Sequence, residues 1–242
     1  MIVGQPDPTK PGFPPLLRGE ALRPNLDPVT KAVSMAMRGI DPGLVVWSED
    51  TISARAALIL APEEPLETAM GILFAAELGL SDSLGALAPP EVAVHFVWPD
   101  RIKVNGALCG HMYAVASTSD PKEEPDWLVL GMEVPIMPVH DAEPGDMPDQ
   151  TTLAEEGCGE ITAPQLIENW ARHTMVWISR FIDDGIAPLH AAWRDKCDML
   201  GEEVESPQKG IFMGLDENGG MLLKNQGGTH VFPLTTMLET KK

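Results

Sequence analysis

Three cysteines, Cys109, Cys158 and Cys197, are the candidate thiolate nucleophiles and soft metal ligands. They lie far apart with no Cys-x-x-Cys pair, so neither a zinc site nor a disulfide framework is suggested, and reduced thiols are expected. Phosphate chemistry would show as Gly-x-x-x-x-Gly-Lys-Ser/Thr, or as Gly-x-Gly-x-x-Gly after a strand, because both shapes turn backbone amides towards an anion. Neither pattern occurs. A Ser-His-Asp triad converges only in space, and the Gly-x-Ser-x-Gly elbow that would raise its prior is missing.

Charge narrows the partners. The chain carries 17 Lys+Arg against 36 Asp+Glu in 242 residues, a formal balance of −19, which repels phosphate polymers and anionic headgroups. No nucleic-acid or membrane partner is expected. Twelve of the acids, against Lys122 alone, fall between Asp120 and Glu160. Such a run reads as a solvated loop face, with docking of a basic partner as the alternative. The start, MIVGQPDPTKPGFPP, has no basic region followed by an apolar stretch, and no run approaches ~18 uninterrupted apolar residues, so a soluble, cytoplasmic protein is expected. The length suits a main domain with a small appendage.

The elements that must position any site are legible from periodicity. Prolines at 6, 8, 11, 14, 15 and 24 make the first two dozen residues an irregular lead-in. Val29, Val33, Ala36 and Met37 predict a helix from Asp27 to Arg38, and the apolar stripe Leu66, Met70, Leu73, Phe74 and Leu78 predicts another from Pro65 to Gly79. Strands are predicted at 44–47, 56–60, 92–98, 112–117 and 127–135. Pro138 to Pro164 reads as a long acidic loop. From Pro164, Leu166, Ile167, Trp170, Thr174, Trp177, Ile178 and Phe181 form a wide helical stripe ending near Gly185, and a second helix runs through Leu189, Trp193 and Lys196 to Leu200 before Gly201. Beyond it, short apolar runs separated by Asn/Gly turns predict a small closed or partly closed β-barrel.

The triplet Trp98-Pro99-Asp100 matches the acid loop of tyrosine phosphatases, but their chemistry needs a cysteine followed after five residues by arginine, and none of the three cysteines has one. The longer stretch Val97-Trp98-Pro99-Asp100-Arg101-Ile102-Lys103-Val104-Asn105-Gly106-Ala107-Leu108-Cys109-Gly110-His111-Met112 resembles the Lys-Trp-Pro-Asn-Asp strand-turn of biotin protein ligases, which continues through an Asn-Gly turn into Lys-Leu-Ala-Gly-Ile-Leu. The preceding helix, the two helices between Pro164 and Leu200, Trp193 followed by Asp198-Met199-Leu200-Gly201, and the hairpin Gly214 to Leu223 fall in the order of that family's elements. The resemblance covers roughly residues 16 to 240.

It implies an α/β (α+β) fold: a mixed sheet flanked by helices with a small C-terminal SH3-like β-barrel, divided as a Pro-rich lead-in at 1–15, a biotin/lipoate protein ligase-like domain at 16–201 and a barrel at 202–242. It also implies ATP, biotin or lipoate as the acid, an acyl-adenylate, and a carrier-protein lysine as acceptor. That chemistry needs positive groups where charge builds on the α-phosphate and acyl oxygen. The family supplies them from a Gly/Arg-rich loop and from the lysine that opens Lys-Trp-Pro-Asn-Asp. Here Ser48-Glu49-Asp50 runs almost straight into Thr51-Ile52-Ser53, Val97 stands at the lysine position, Asp100 and Arg101 replace Asn and Asp, and Pro135 lies in the family's Asn-containing strand. Ordinary biotin ligation is therefore not expected.

The candidate ligand-binding residues are Arg55, Trp98, Asp100, Arg101, Lys103, Asn105, Gly110 and His111; no catalytic residue is assigned. Arg55, Arg101 and Lys103 read either as a replacement anion clamp or as surface partners of Glu49, Asp50 and Asp100. Trp98 reads as pocket floor or core, and His111 as a ligand contact or a hydrogen-bonded structural histidine. Cys109 as a thioester-forming nucleophile, as in octanoyl transferases related by fold, is a weak reading because its position does not match theirs. Two functions stay open: an acyl-transfer enzyme of altered specificity for a small carboxylic acid or its adenylate, and a non-catalytic descendant binding a ligand or protein partner.

Overall fold

The prolines at 14 and 15 give way to extended chain, and in the computed structural model, which describes residues 9–138 and 149–238, this is strand β1 (Arg18–Leu22). It pairs in parallel with β2 (Leu44–Ser48). The irregular lead-in is thus shorter than expected, because proline is barred from the ladder only where its amide is needed, and Pro14, Pro15 and Pro24 flank β1 without entering it. Between them Asp27 caps α1 (Pro28–Ala36), accepting from the amides of Val29 and Thr30, with Pro28 in the first turn where no amide is required.

β2 returns antiparallel as β3 (Ser53–Leu60). A short α2 (Leu66–Ala69) and, after a break at Gly71, α3 (Ile72–Leu87) replace the single helix expected to stop at Gly79. Gly79 marks a packing point. A Cβ there would lie 2.3 Å from Thr174 Oγ1 and 2.7 Å from its amide nitrogen, so the missing side chain lets α3 meet α4 (Ala163–Asp184) backbone to backbone. The stretch Leu66–Leu87 is long and apolar enough to cross a membrane by composition, but 78% of its apolar window is buried inside the protein.

Strands β4 (Val94–Val97), β5 (Arg101–Val104), β6 (Ala107–Ala116) and β7 (Leu128–Pro135) complete a seven-stranded mixed sheet in the order β1-β2-β3-β7-β6-β5-β4. A Thr162/Gln165 capping box starts α4, and Gly185 at φ 74° ends it. α5 (Ala187–Asp195) stops five residues before the expected Leu200, because the chain extends beside β4: the Phe96 amide donates to the Lys196 carbonyl at 2.8 Å, and the Asp198 amide to the Phe96 carbonyl at 3.1 Å. A separate antiparallel sheet follows, with β8 (Glu203–Val204), β9 (Gly210–Leu215), β10 (Met221–Asn225) and β11 (Gly228–Phe232) in the order β11-β10-β9-β8. Of the expected acidic loop, residues 139–148 lie outside the described residues.

Helices α3, α4 and α5 cover one face of the large sheet over Ala54, Ala56, Leu58, Met112, Met132 and Val134, with Trp170 and Trp193 wholly buried among them. Glu77 of α3 is buried here too. It accepts from Trp193 Nε1 at 2.6 Å while its other oxygen has no partner among the described residues, and burial holds the carboxyl well above the usual pKa. On the opposite face α1 packs over Ala57, Ile59, Val115 and Val129.

Candidate functional site

Side chains alternate along a strand, so Arg55 shares the α1 face with Ala57 and Ile59. The register carries a row from it across the sheet: Arg55 on β3 opposes Glu133 on β7, Glu133 opposes His111 on β6, His111 opposes Arg101 on β5, and Arg101 opposes Val97 on β4. At about 4.8 Å per strand the row spans roughly 19 Å. Tyr113 lies on the same face two residues from His111. Its hydroxyl donates to Glu133 Oε2 at 3.1 Å and meets His111 Nε2 on its other side. Burial first, and then the charge of Arg101, hold the His111 imidazole below its usual pKa, with Glu133 opposing them, so the ring is neutral and a hydrogen-bonding group near pH 7.

Of the eight predicted residues, the structure brings Arg55, Arg101 and His111 into this row. Each candidate cation has an acid beside it. Arg55 Nη2 lies 3.2 Å from Asp50 Oδ2 and 3.2 Å from Ser48 Oγ and also donates to the Pro24 carbonyl, leaving its Nε buried without an acceptor among the described residues. Arg101 Nε is 3.6 Å from Asp100 Oδ1 and its side chain is 53% exposed. Lys103 pairs with Asp198, at the edge of the sheet. Glu133 is thus an acid added within the row itself.

The other predicted residues hold structure. Trp98 is 5% exposed and donates Nε1 to the Gly219 carbonyl at 3.0 Å, which docks the small sheet on the large one. Asn105 takes φ 50° and Gly106 φ 96° in the β5-β6 turn, as a two-residue Asn-Gly hairpin requires. Asn105 accepts from the Ala93 amide at 3.0 Å and donates to Glu156 Oε2 at 2.8 Å. Gly110 sits at φ 146°, and a Cβ on it would lie 2.7 Å from the Glu133 carbonyl oxygen, so it keeps β6 close to β7. Cys109 is buried, and burial with the nearby acids Glu156 and Glu155 pushes its pKa up to about 12, which leaves a thiol and no thiolate nucleophile.

The join between β2 and β3 spans only residues 49–52 and is closed on itself: the Asp50 amide donates to Ser48 Oγ at 3.2 Å, and the Ile52 amide to Asp50 Oδ1 at 2.9 Å. It presents Glu49 and Asp50 and no base, a poor fit to a polyphosphate. Sequence reasoning missed Tyr113 and Glu133. Their signals were the His111-x-Tyr113 spacing within a strand, and one acid inside the apolar run Leu128 to Val134.

The sequence profile of the biotin/lipoate A/B protein ligase family matches residues 13–195, and that of a domain of unknown function (DUF4444) matches residues 200–240. A biotin–[acetyl-CoA-carboxylase] ligase of Paracoccus denitrificans is 26% identical over 182 residues, covering 73% of this chain and 75% of that protein. Among solved structures, a biotin protein ligase-like protein of unknown function from a Silicibacter species superposes with a TM-score of 0.89 at 46% identity, covering 96% of this chain and 100% of that one. The Aquifex aeolicus biotin protein ligase gives a TM-score of 0.70 at 16% identity over 90% of this chain and 96% of its own, a likeness of fold. With a mixed α/β sheet, a separate small C-terminal sheet and a profile match over three quarters of its length, the chain belongs to the biotin/lipoate A/B protein ligase family.

Proposed function

We propose that this chain uses the ligase fold to bind a small carboxylic acid or its acyl-adenylate on the open end of the α1 face, and that it does not carry out ordinary biotin ligation. The observation that supports this is the pairing of Arg55, Arg101 and Lys103 with Asp50, Asp100 and Asp198, with Glu133 between Arg55 and His111. Forming an acyl-adenylate gathers negative charge on phosphate and acyl oxygens. Losing one preorganised donor for that charge costs ~10²–10³ in rate, and here the positive groups are already neutralised.

Binding asks less. Exposed ion pairs contribute about 1 kcal/mol or less, so a ligand carboxylate can take Arg101 from Asp100 at small cost, gaining the planar two-point contact that guanidinium offers. His111, neutral and oriented through Tyr113 by Glu133, then presents a hydrogen-bonding nitrogen beside it.

Thermal denaturation with biotin, lipoate, octanoate, ATP and a non-hydrolysable biotinyl-adenylate analogue tests the reading. Stabilisation by an acid or the adenylate analogue but not by ATP is expected, about 5 °C or more at a hundredfold excess over Kd, and Arg101→Ala should abolish it. Indifference to every compound would remove the small-acid site and leave the protein-interaction reading.

A further inference from the structure

At the other end of β2 and β3 from Arg55, on the face covered by α4, lies a half-open cavity of about 700 Å³. Its walls come from five segments: Leu17 before β1, Gly43 before β2, Leu60 closing β3, Ile72 opening α3, and Ile178 and Phe181 of α4. Leu60 is five residues from Arg55, roughly 16 Å along an extended strand, so the cavity is no lobe of the polar row. Gly43 at φ 84° forms part of the wall, where a Cβ would lie 2.7 Å from the Leu16 carbonyl oxygen. Two large aliphatic side chains among the lining residues stand in solvent, Leu16 at 78% and Ile182 at 74% exposure. Apolar surface that stays exposed around a concavity marks a binding site more often than chance.

The rim is acidic. Glu63 and Glu64 are exposed there, and none of the described residues lining the cavity is basic. Arg18, next to Leu17 in sequence, gives its guanidinium to the Asp41 and Pro42 carbonyls at 2.6 and 3.2 Å. An apolar interior with two carboxylates at its mouth repels a fatty acid and attracts a cationic head.

We propose that this cavity is a second ligand site and that its ligand is a linear aliphatic amine, a chain on the order of ten carbons, the size that cavities of roughly 300–1,000 Å³ enclose. The apolar walls take the chain and Glu63 and Glu64 take the ammonium group. The site is independent of the small-acid reading above and excludes the ligands proposed there.

Calorimetric titration of the whole chain with n-octylamine, n-decylamine, decanol and decanoate, in 0.15 M salt and below the concentrations at which they aggregate, tests it. One decylamine should bind per chain. Two methylenes more than octylamine should tighten binding about fifteenfold if both are buried, and decanoate should bind at least tenfold more weakly than decylamine. Ile182→Trp, at a position too exposed to endanger folding, should narrow the mouth and weaken decylamine at least tenfold. Glu63→Gln with Glu64→Gln should remove the preference for decylamine over decanol. Absence of saturable binding, affinity without chain-length dependence, or unchanged binding by Ile182→Trp would overturn the proposal, the last two exposing general attraction of cations to a chain of charge −19. Arg101→Ala should leave decylamine binding unaltered, so the two sites stand or fall separately.

Discussion

The two faces of the large sheet rest on different forces. Towards α3, α4 and α5, away from the cavity beside Leu60, the sheet is packed by apolar side chains and tight backbone approach, with Trp170, Trp193 and Phe96 excluded from solvent and Phe96 stacked on Trp193 at 5.9 Å between ring centres. Towards α1, the end that carries the polar row is open, and its groups are held by ion pairs and by the Glu133-Tyr113-His111 hydrogen bonds. Burial of apolar area carries most of folding stability, whereas exposed ion pairs carry little. Charges on the open face can therefore change sign or partner while the ligase fold survives, and a retained fold says little about retained chemistry.

Substitutions on each face should separate these roles. The largest effect is expected at the α3-α4 contact: Gly79→Val pushes a branched side chain into the Thr174 backbone and should cost about 3 kcal/mol or more in urea denaturation. Val97→Lys on the open strand, the reverse insertion of a charge, should cost under about 1 kcal/mol. Equal losses would erase the distinction between the faces.

Glu77→Gln comes next, with the opposite sign. The buried carboxyl has its folded pKa raised, so the stability tied to its protonated form is present below the ordinary carboxylate pKa. It is lost as pH rises through the interval up to the folded value, because the unfolded chain releases its proton first. Glutamine keeps an acceptor for Trp193 Nε1 without that loss. At pH 8 the variant should be more stable by about 1 kcal/mol or more, roughly 2–4 °C in Tm for a chain of this size, and the gain should vanish near pH 4. A gain independent of pH would assign it to packing.

Asp50→Asn should keep the bond from the Ile52 amide while releasing Arg55 from its acid. Affinity for the biotinyl-adenylate analogue should rise about three- to tenfold, the range of one exposed to half-buried charge contact. The smallest effect belongs to His111. Its folded pKa is lowered, so its contribution is present above the ordinary imidazole pKa near 6.5 and fades as pH falls through the folded value. His111→Gln should flatten, by under about 1 kcal/mol, the decline in stability that sets in as pH falls below the ordinary imidazole pKa, read from denaturation midpoints.

Much of the fold was legible because it follows periodicity: α4 starts at the Thr162 cap and ends at Gly185, and β2 and β7 fall on their apolar runs. The misreadings share a cause. Gly79 looks like a helix stop when only local propensity is weighed, and its role in contact with Thr174 lies 95 residues away; likewise α5 ends early because its continuation hydrogen-bonds to Phe96. At the candidate site the cations were legible and so was Asp50, five residues from Arg55. Asp198 as the partner of Lys103, and Glu133 as the acid within the row, depend on strand register, which one sequence does not display.

A ligase-type scaffold here carries cations that are each matched by an acid. The direct test is turnover: incubate the purified chain with biotin, ATP and a biotin carrier domain, and follow pyrophosphate release together with biotin attached to the carrier. Neither product should exceed an enzyme-free blank, and Asp50→Asn with Val97→Lys should raise the adenylate analogue's affinity without damage to the fold. Biotin transfer by the unaltered chain at the pace of an ordinary ligase would contradict the proposed loss of ligation.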